Sequence, residues 1–498
     1  MGRADTHPTL TLRRLRLWKS GQLVDLRLPW PTPDTIRQLG SLLNGWEQLA
    51  QREQTSHFEV DMEGALLAPG LVDPHVHFRD PGQTQKEDML TGCCAAAAGG
   101  YTSVLIMPNT QPAMDNPDTV DFLQDYERRR GCRLPVGYRL CLAASQAREG
   151  KQPTSADLWT RYMPGGPAAH RTLAARLHPV VAVSDDGAAV ADGIAQAVAE
   201  QAAQVGLPVL DHCEHHVRGQ VNAGPVAEAL GLEGVPVATE LRIVQRDIEL
   251  ARSTGAHFHL QHVSTAAAFS AIRQAKAQGL PVTCETAPHY LALCDEDLLE
   301  RGAMAKMNPP LRSRSDRQAT LEAVADGTVD MIATDHAPHT ASEKERGLAS
   351  APNGIIGLET AYGVCHRALV DAGWISGRRL IELMSLAPAR LMGEPTTDPE
   401  VLLQQERQAQ GAQESTAGRP LIDVKAADQP VNWCLLVPEE SWVVDASRFH
   451  SKARNTPFQS ERLTGRVVMT IVDSQPVFSS VPTRFFQAHS SDQQQAIA

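Results

Sequence analysis

Between Ala68 and Met392 one pattern recurs eight times: a short apolar run, a polar residue at its C-terminal end, then a helix-like stretch. The runs are Leu71 to Phe78, Thr102 to Asn109, Val136 to Ala143, Pro179 to Asp186, Pro208 to Glu214, Phe258 to Ser264, Pro281 to His289 and Asp330 to His339. Helical periodicity follows between most of them, at Glu87 to Ala98, Ala188 to Gln204, Thr239 to Ser253, Ala266 to Gln278 and Arg317 to Ala325. Strands that alternate with helices need crossover connections, which are right-handed and produce a parallel sheet. Eight such units predict an α/β fold closed into a (β/α)8 TIM barrel.

In such a barrel the chemistry sits where the strands end, so the residues there are informative. They are His75 and His77, Asn109, Asp185 and Asp186, His212, His262, His289, and Asp335 with His339. Side chains two apart on a strand share a face, so His75 and His77 project together. Neutral imidazole is a good ligand for zinc and similar ions, and carboxylates or further imidazoles would complete a site. A lone His-x-His is as easily two satisfied polar groups at a strand end; the ordered set of metal-capable residues is what argues for a metal centre. Bland roles fit several others: His215 and His216 as solvated loop residues, His257 and His259 as surface or packing residues, and His289 as a strand cap.

Composition narrows the class. The chain has 498 residues, 42% apolar and 21% charged, with net charge −12, which suits a globular protein and offers no basic stripe for nucleic acid or anionic membrane. No window approaches a membrane span, and the first residues lack the apolar core of a signal peptide. Nine cysteines without a Cys-x-x-Cys pair fit reduced thiols. A cytoplasmic location is therefore expected.

The flanks of the barrel differ from it. Residues 1–67 carry strand-like alternation (Leu10, Leu12, Leu15, Leu17) around a helical stretch from Asp34 to Gln51, and are too few to stand alone. Residues 430–485 recover strand character after a segment, 394–429, rich in Gln, Glu, Ala, Thr and Pro that reads as an exposed insertion or linker. The predicted organisation is a small β domain made from 1–67 and 430–485, a barrel over 68–393, and a loose tail over 486–498.

Seven motifs then carry a resemblance. Asp73 to Gly82, Met107-Pro108-Asn109-Thr110, Ser184-Asp185-Asp186-Gly187, Asp211-His212-Cys213-Glu214, Gln261-His262-Val263-Ser264, Lys306 to Arg312 and Ala333 to His339 closely resemble class I dihydroorotases of the amidohydrolase superfamily. The likeness covers roughly residues 65 to 395 and returns more weakly at Ser451 to Phe458 and Gly465 to Val477. It implies one or two zinc ions, with His75, His77 and Asp335 on one, His212 and His262 on a second position, and Asp186 bridging. It implies substrate contacts from Arg79, Asn109, Asn308, His339 and the backbone around Asn353 and Gly354, with Asp335 as general base and acid. The implied reaction is reversible cyclisation of N-carbamoyl-L-aspartate to L-dihydroorotate, a step of pyrimidine biosynthesis catalysed by a hydrolase of cyclic amides. A homo-oligomer is expected, and association with aspartate carbamoyltransferase is open.

Two alternatives follow from the same resemblance. Hydantoinases and allantoinases share the fold but bridge their metals with a carboxylated lysine near the fourth strand, where this chain reads Val180 to Asp186 without any lysine. The nearest upstream lysine, Lys151, lies in a turn-rich loop. A non-catalytic barrel that only partners the transferase would be expected to lack metal ligands, and none is missing here.

Overall fold

The computed structural model describes residues 8–50, 55–215, 218–410, 418–427 and 429–490. All eight apolar runs form strands of one parallel sheet: β1 (Leu71–Val76), β2 (Tyr101–Ile106), β3 (Gly137–Ala143), β4 (Val180–Ser184), β5 (Val209–His212), β6 (Phe258–Gln261), β7 (Val282–Thr286) and β8 (Met331–Ile332). Each pairs with its neighbour in sequence order, from β1 through β8. The ring closes through the residues after β8. Val76 bridges His336 in parallel, His77 N–H donates to the His336 carbonyl at 2.9 Å, and Asp73 accepts from Thr334 N–H at 3.1 Å and its hydroxyl at 2.5 Å.

The crossover helices form where their caps allow. Asp88 accepts from Thr91 N–H to start Met89–Ala98, Thr265 from Ala268 N–H to start Ala266–Ala277, and Ser313 from Asp316 N–H to start Arg314–Ala325. Their apolar faces pack on the strands, burying Ile194, Val198 and Ala202 of Asp192–Val205 and Ile243, Val244 and Leu250 of Ala238–Thr254. That layer fixes the strand ends, and so the residues they carry, at one mouth.

Among the described residues, segments from both ends of the chain build a second, mixed sheet of nine strands. Its path runs Leu421–Asp423, Leu23–Pro29, Thr9–Leu17, Leu66–Pro69, Trp433–Val443, Arg462–Val472 and Gln475–Ser479, with Thr55–Asp61 joining Thr9–Leu17 and Gln487–Ser490 joining Thr55–Asp61. Stacked aromatics fill it: the Trp30 ring centroid lies 4.7 Å from that of Trp46 and 4.1 Å from that of Phe58, and Phe486 meets Trp46 edge-on at 5.2 Å.

Three expectations change. The helical stretch from Asp34 is two short helices, Pro33–Gln38 and Trp46–Ala50, because Gly40 and Gly45 interrupt it; Gln51 lies outside the described residues. The segment 394–429 is not a linker in its described part. Pro399–Gln410 is a helix that buries Leu402 and Leu403, Asp398 accepts from the Trp18 indole at 3.2 Å, Glu400 accepts from Lys19 N–H at 2.8 Å, and Leu421–Asp423 is an edge strand. Two leucines and a pair of anchoring acids suffice to dock a helix that composition alone reads as loose. Residues 411–417 and 428 lie outside the described residues. In the tail, Phe486 is buried and Gln487–Ser490 is paired, while 491–498 lie outside the described residues. Among the described residues no helix is long and apolar enough to cross a membrane.

Candidate metal centre and substrate pocket

Six residues from five strand ends converge at the barrel mouth. His75 and His77 leave β1, Asp186 follows β4, His212 ends β5, His262 follows β6 and Asp335 follows β8. All are buried. His77 Nε2 lies 3.1 Å from Asp335 Oδ1 and 3.2 Å from Asp186 Oδ2; His75 Nε2 lies 3.3 Å from Asp186 Oδ1 and 3.6 Å from Asp335 Oδ1. His212 Nδ1 is 3.4 Å from Asp186 Oδ1 and 2.8 Å from His262 Nε2, which is itself 3.8 Å from Asp186 Oδ1. Two overlapping groups of ligand atoms result, His75 with His77 and Asp335, and His75 with Asp186 and His262. Asp186 is the carboxylate common to the imidazoles of both halves.

The donor set fits a cation. His75 Nε2 and Asp186 Oδ1 are buried, face each other, and make no hydrogen bond. Buried polar atoms ordinarily have partners, so a pair that converges without bonding marks a place for an ion. The electrostatics agree. Burial pushes the Asp186 carboxyl up, but the surrounding imidazoles more than offset it and hold it well below the usual range. Asp335 is held at about 2 in the same way, with His77 the strongest of its opposing partners. Against burial, Asp186 and Glu285 raise His75, and Asp186 and Glu214 raise His212 to about 9. His77 shifts down instead, since burial there outweighs its carboxylate neighbours.

Backbone strain is concentrated here as well. Arg79, His262 and Asp335 adopt φ of 60°, 36° and 48°, left-handed values that non-glycine residues rarely take and that persist where the surroundings enforce them. Each aims a functional side chain into the mouth.

A cavity of about 240 Å³ opens over the cluster, lined by His77, Asp186, His212, His262 and Asp335 together with Arg79, Asn109, Asn308, His339, Asn353 and Gly354. Arg79 makes no ion pair or side-chain hydrogen bond among the described residues, and its Nε is buried without a partner. The acids beside it in sequence are engaged elsewhere: Asp80 accepts from the Tyr126 hydroxyl at 2.8 Å, and Asp88 pairs with Lys452. Asn109 Oδ1 accepts from His77 Nδ1 at 2.9 Å, and the Asn308 amide lies 2.9 Å from His212 Nε2. His339 donates from Nε2 to the Asn353 carbonyl at 2.7 Å; burial and the cations Arg79, Lys86 and Lys344 push it down to about 3, so the ring is neutral. Gly354 has φ 122°, and a Cβ there would sit 2.6 Å from Ala337 Cβ and 3.2 Å from His339 Nε2, so the close turn requires glycine. Its N–H is spent on the Lys306 carbonyl and its carbonyl accepts from Asn455, while the Asn353 side chain points to solvent.

Other residues were placed differently or missed by the sequence reading. Asp185 turns away from the cluster and accepts from Ser145 N–H at 2.9 Å and its hydroxyl at 2.5 Å. Arg148 donates to the carbonyls of Asp185 and Asp186, fixing that turn; nothing in its Ala-Arg-Glu context signals this. Of the two roles read for His259, surface or packing, the structure shows the second: it is fully buried beneath the centre, with Glu285, whose charge within an apolar strand was the available signal. His257 is half-buried, 2.8 Å from the Thr283 hydroxyl. His289 is buried in the short helix Pro288–Ala292 rather than capping a strand, His215 meets Arg242, and His216 lies outside the described residues. Lys151 pairs with Glu149 at the surface, far in role from any bridge between metals.

Comparison with known proteins agrees with this geometry. Residues 66–396 match the Amidohydrolase family. Dihydroorotases from Lactiplantibacillus plantarum and Anaeromyxobacter dehalogenans are 37% and 41% identical, over 93% and 83% of this chain and 97% and 86% of their own. Among solved structures, the L-hydantoinase of Arthrobacter aurescens superposes with a TM-score of 0.71 at 22% identity, covering 95% of this chain and 96% of its own, which speaks to fold alone.

Proposed function

The chain belongs to the dihydroorotases of the amidohydrolase family, and from that premise we propose that its barrel mouth interconverts N-carbamoyl-L-aspartate and L-dihydroorotate in pyrimidine biosynthesis. The observation that carries the reading is Arg79, an unpaired guanidinium beside a complete set of metal ligands. A carboxylate-bearing cyclic amide is the substrate such a pair fits, because the planar fork binds a carboxylate through two parallel hydrogen bonds.

His75, His77, Asp186, His212, His262 and Asp335 would hold one or two zinc ions. When bound, zinc polarises the amide carbonyl and brings the pKa of a water towards about 7. The chain's own residues do the rest. Arg79 fixes the substrate carboxylate, and the amides of Asn109 and Asn308, which line the same cavity, are available to the ring amides. His339 holds the Asn353–Gly354 turn against the pocket. Asp335, ionised by its imidazole neighbours, accepts the proton of the attacking water and returns it to the leaving ring nitrogen; in the direction of synthesis it takes that proton from the carbamoyl nitrogen and delivers it to the departing oxygen.

The cyclic-amidase reading lacks support, since the run from Val180 to Asp186, on and just after β4, holds no lysine to be carboxylated. All nine cysteines are free, which supports a cytoplasmic enzyme. A homo-oligomer and an association with aspartate carbamoyltransferase rest on family resemblance alone. The test is turnover of dihydroorotate beside dihydrouracil, the same ring without the carboxylate. Dihydroorotate should be hydrolysed and dihydrouracil not, and Arg79→Lys should lose about 10- to 100-fold in kcat/KM at unchanged metal content. Equal turnover of both rings would return the cyclic-amidase reading.

A further inference from the structure

Beneath the metal ligands, a chain of hydrogen bonds runs into the barrel core. His75 Nδ1 lies 2.7 Å from Glu285 Oε1, and Glu285 Oε2 lies 3.1 Å from His259 Nε2. His259 Nδ1 lies 2.9 Å from the Thr283 hydroxyl, which lies 2.8 Å from His257 Nε2. His75, Glu285 and His259 are at most 1% exposed. Glu285 has no Lys or Arg partner among the described residues; its partners are the His75 and His259 rings and the His262 N–H at 3.4 Å.

The donor directions follow once Glu285 is ionised and each ring carries a single proton. An ionised carboxylate only accepts, so both imidazoles donate to Glu285. His259, having donated from Nε2, accepts at Nδ1 from the Thr283 hydroxyl, and that hydroxyl, its one hydrogen spent, accepts from His257. His75 therefore carries its proton on Nδ1, and its Nε2 lone pair is the atom that faces Asp186 and Asp335 without a partner. The Gln261 amide, 3.2 Å from the same Nδ1, is the remaining polar neighbour.

We propose that Glu285, braced by His259, is a positioning residue of the metal centre: it fixes the tautomer and ring plane of His75 and makes Nε2 a stronger ligand. Carboxylates behind metal-binding imidazoles act in this way, and losing one weakens metal affinity about 10- to 100-fold. His259 donates the second hydrogen bond that stops the carboxylate from rotating off His75.

The inference rests on the metal reading above, and its test separates the two. Zinc affinity is measured on the purified chain by competition with a chromophoric chelator, with no turnover involved. Glu285→Gln should weaken zinc binding about 10- to 100-fold. His259→Leu, which keeps the carboxylate but removes its brace, should weaken it less, and His259→Gln, which restores a donor, should recover part of the loss. Imidazole 15N spectra of the zinc-loaded protein should show His75 protonated at Nδ1, and that signal should change in Glu285→Gln. If Glu285→Gln does not fold, the His259 pair and the wild-type spectrum decide. Zinc affinity within twofold of wild type in Glu285→Gln and His259→Leu overturns the inference alone. Unchanged affinity in His75→Ala overturns the metal reading with it.

Discussion

Asp185 and Asp186 are neighbours with opposite fates, and the difference is the alternation of an extended backbone. Asp186 faces four imidazoles, whereas Asp185 turns outward and binds the N–H and hydroxyl of Ser145. Asp186→Ala should abolish both bound metal and activity. Asp185→Ala should keep metal and lose stability by about 1–3 kcal/mol, because it strands buried donors of Ser145. Metal analysis and thermal melting of the two variants check this. A carboxylate supplied by the sequence needs no carbon dioxide, so bicarbonate depletion should leave metal content unchanged. The residues that converge at the mouth were legible because His, Asp and Arg at strand ends are costly to bury without purpose. His259 and Arg148 were not, since each acts through another residue and its short context matches ordinary strand or loop chemistry, and Glu285 stood out only as a charge within an apolar strand.

Elements with strong periodicity were legible, and those held by a few contacts were not. Seven of the eight barrel strands lie within the apolar runs read from the sequence, and β2 starts one residue earlier, at Tyr101, because a strand buried on both faces must be nearly continuously apolar. The helix Pro399–Gln410 was hidden by its polar composition, although Leu402 and Leu403 are buried. Leu403→Ala should therefore cost about 2–5 kcal/mol and lower the melting temperature while kcat/KM stays at the wild-type value. No change in melting would mean that the helix is not docked. A second element carries a pH signature. His178, at the C-terminal end of the helix Leu173–Leu177, is stacked on Tyr138 at 3.7 Å with Nδ1 3.0 Å from the Tyr138 carbonyl, and burial pushes it down to about 4. The unfolded chain titrates this ring near 6.5, so between about 6.5 and 4 the unfolded state binds more protons. Its contribution to stability is full above that window and is lost as pH falls through it. His178→Asn keeps a donor to the carbonyl and removes the titration, so its melting temperature should fall less steeply over that range than that of the wild type.

At the scale of the whole molecule, the barrel supplies the chemistry and the terminal sheet helps hold its mouth. Asn455, in the segment between two strands of that sheet, accepts from His339 N–H and donates to the carbonyls of Ala337 and Gly354. The sequence showed that both chain ends meet in one small β domain, but not that one of its connections reaches the substrate pocket, because such a contact is set by three-dimensional proximity alone. The central claim is that this chain, by itself, is a metal-dependent dihydroorotase. Metal-free protein titrated with zinc, with dihydroorotate hydrolysis followed at each addition, tests it directly. Activity should be absent without metal, rise with occupancy, and saturate at one or two zinc ions per chain. Full activity in protein with no detectable metal, or no turnover in fully loaded protein, would contradict it.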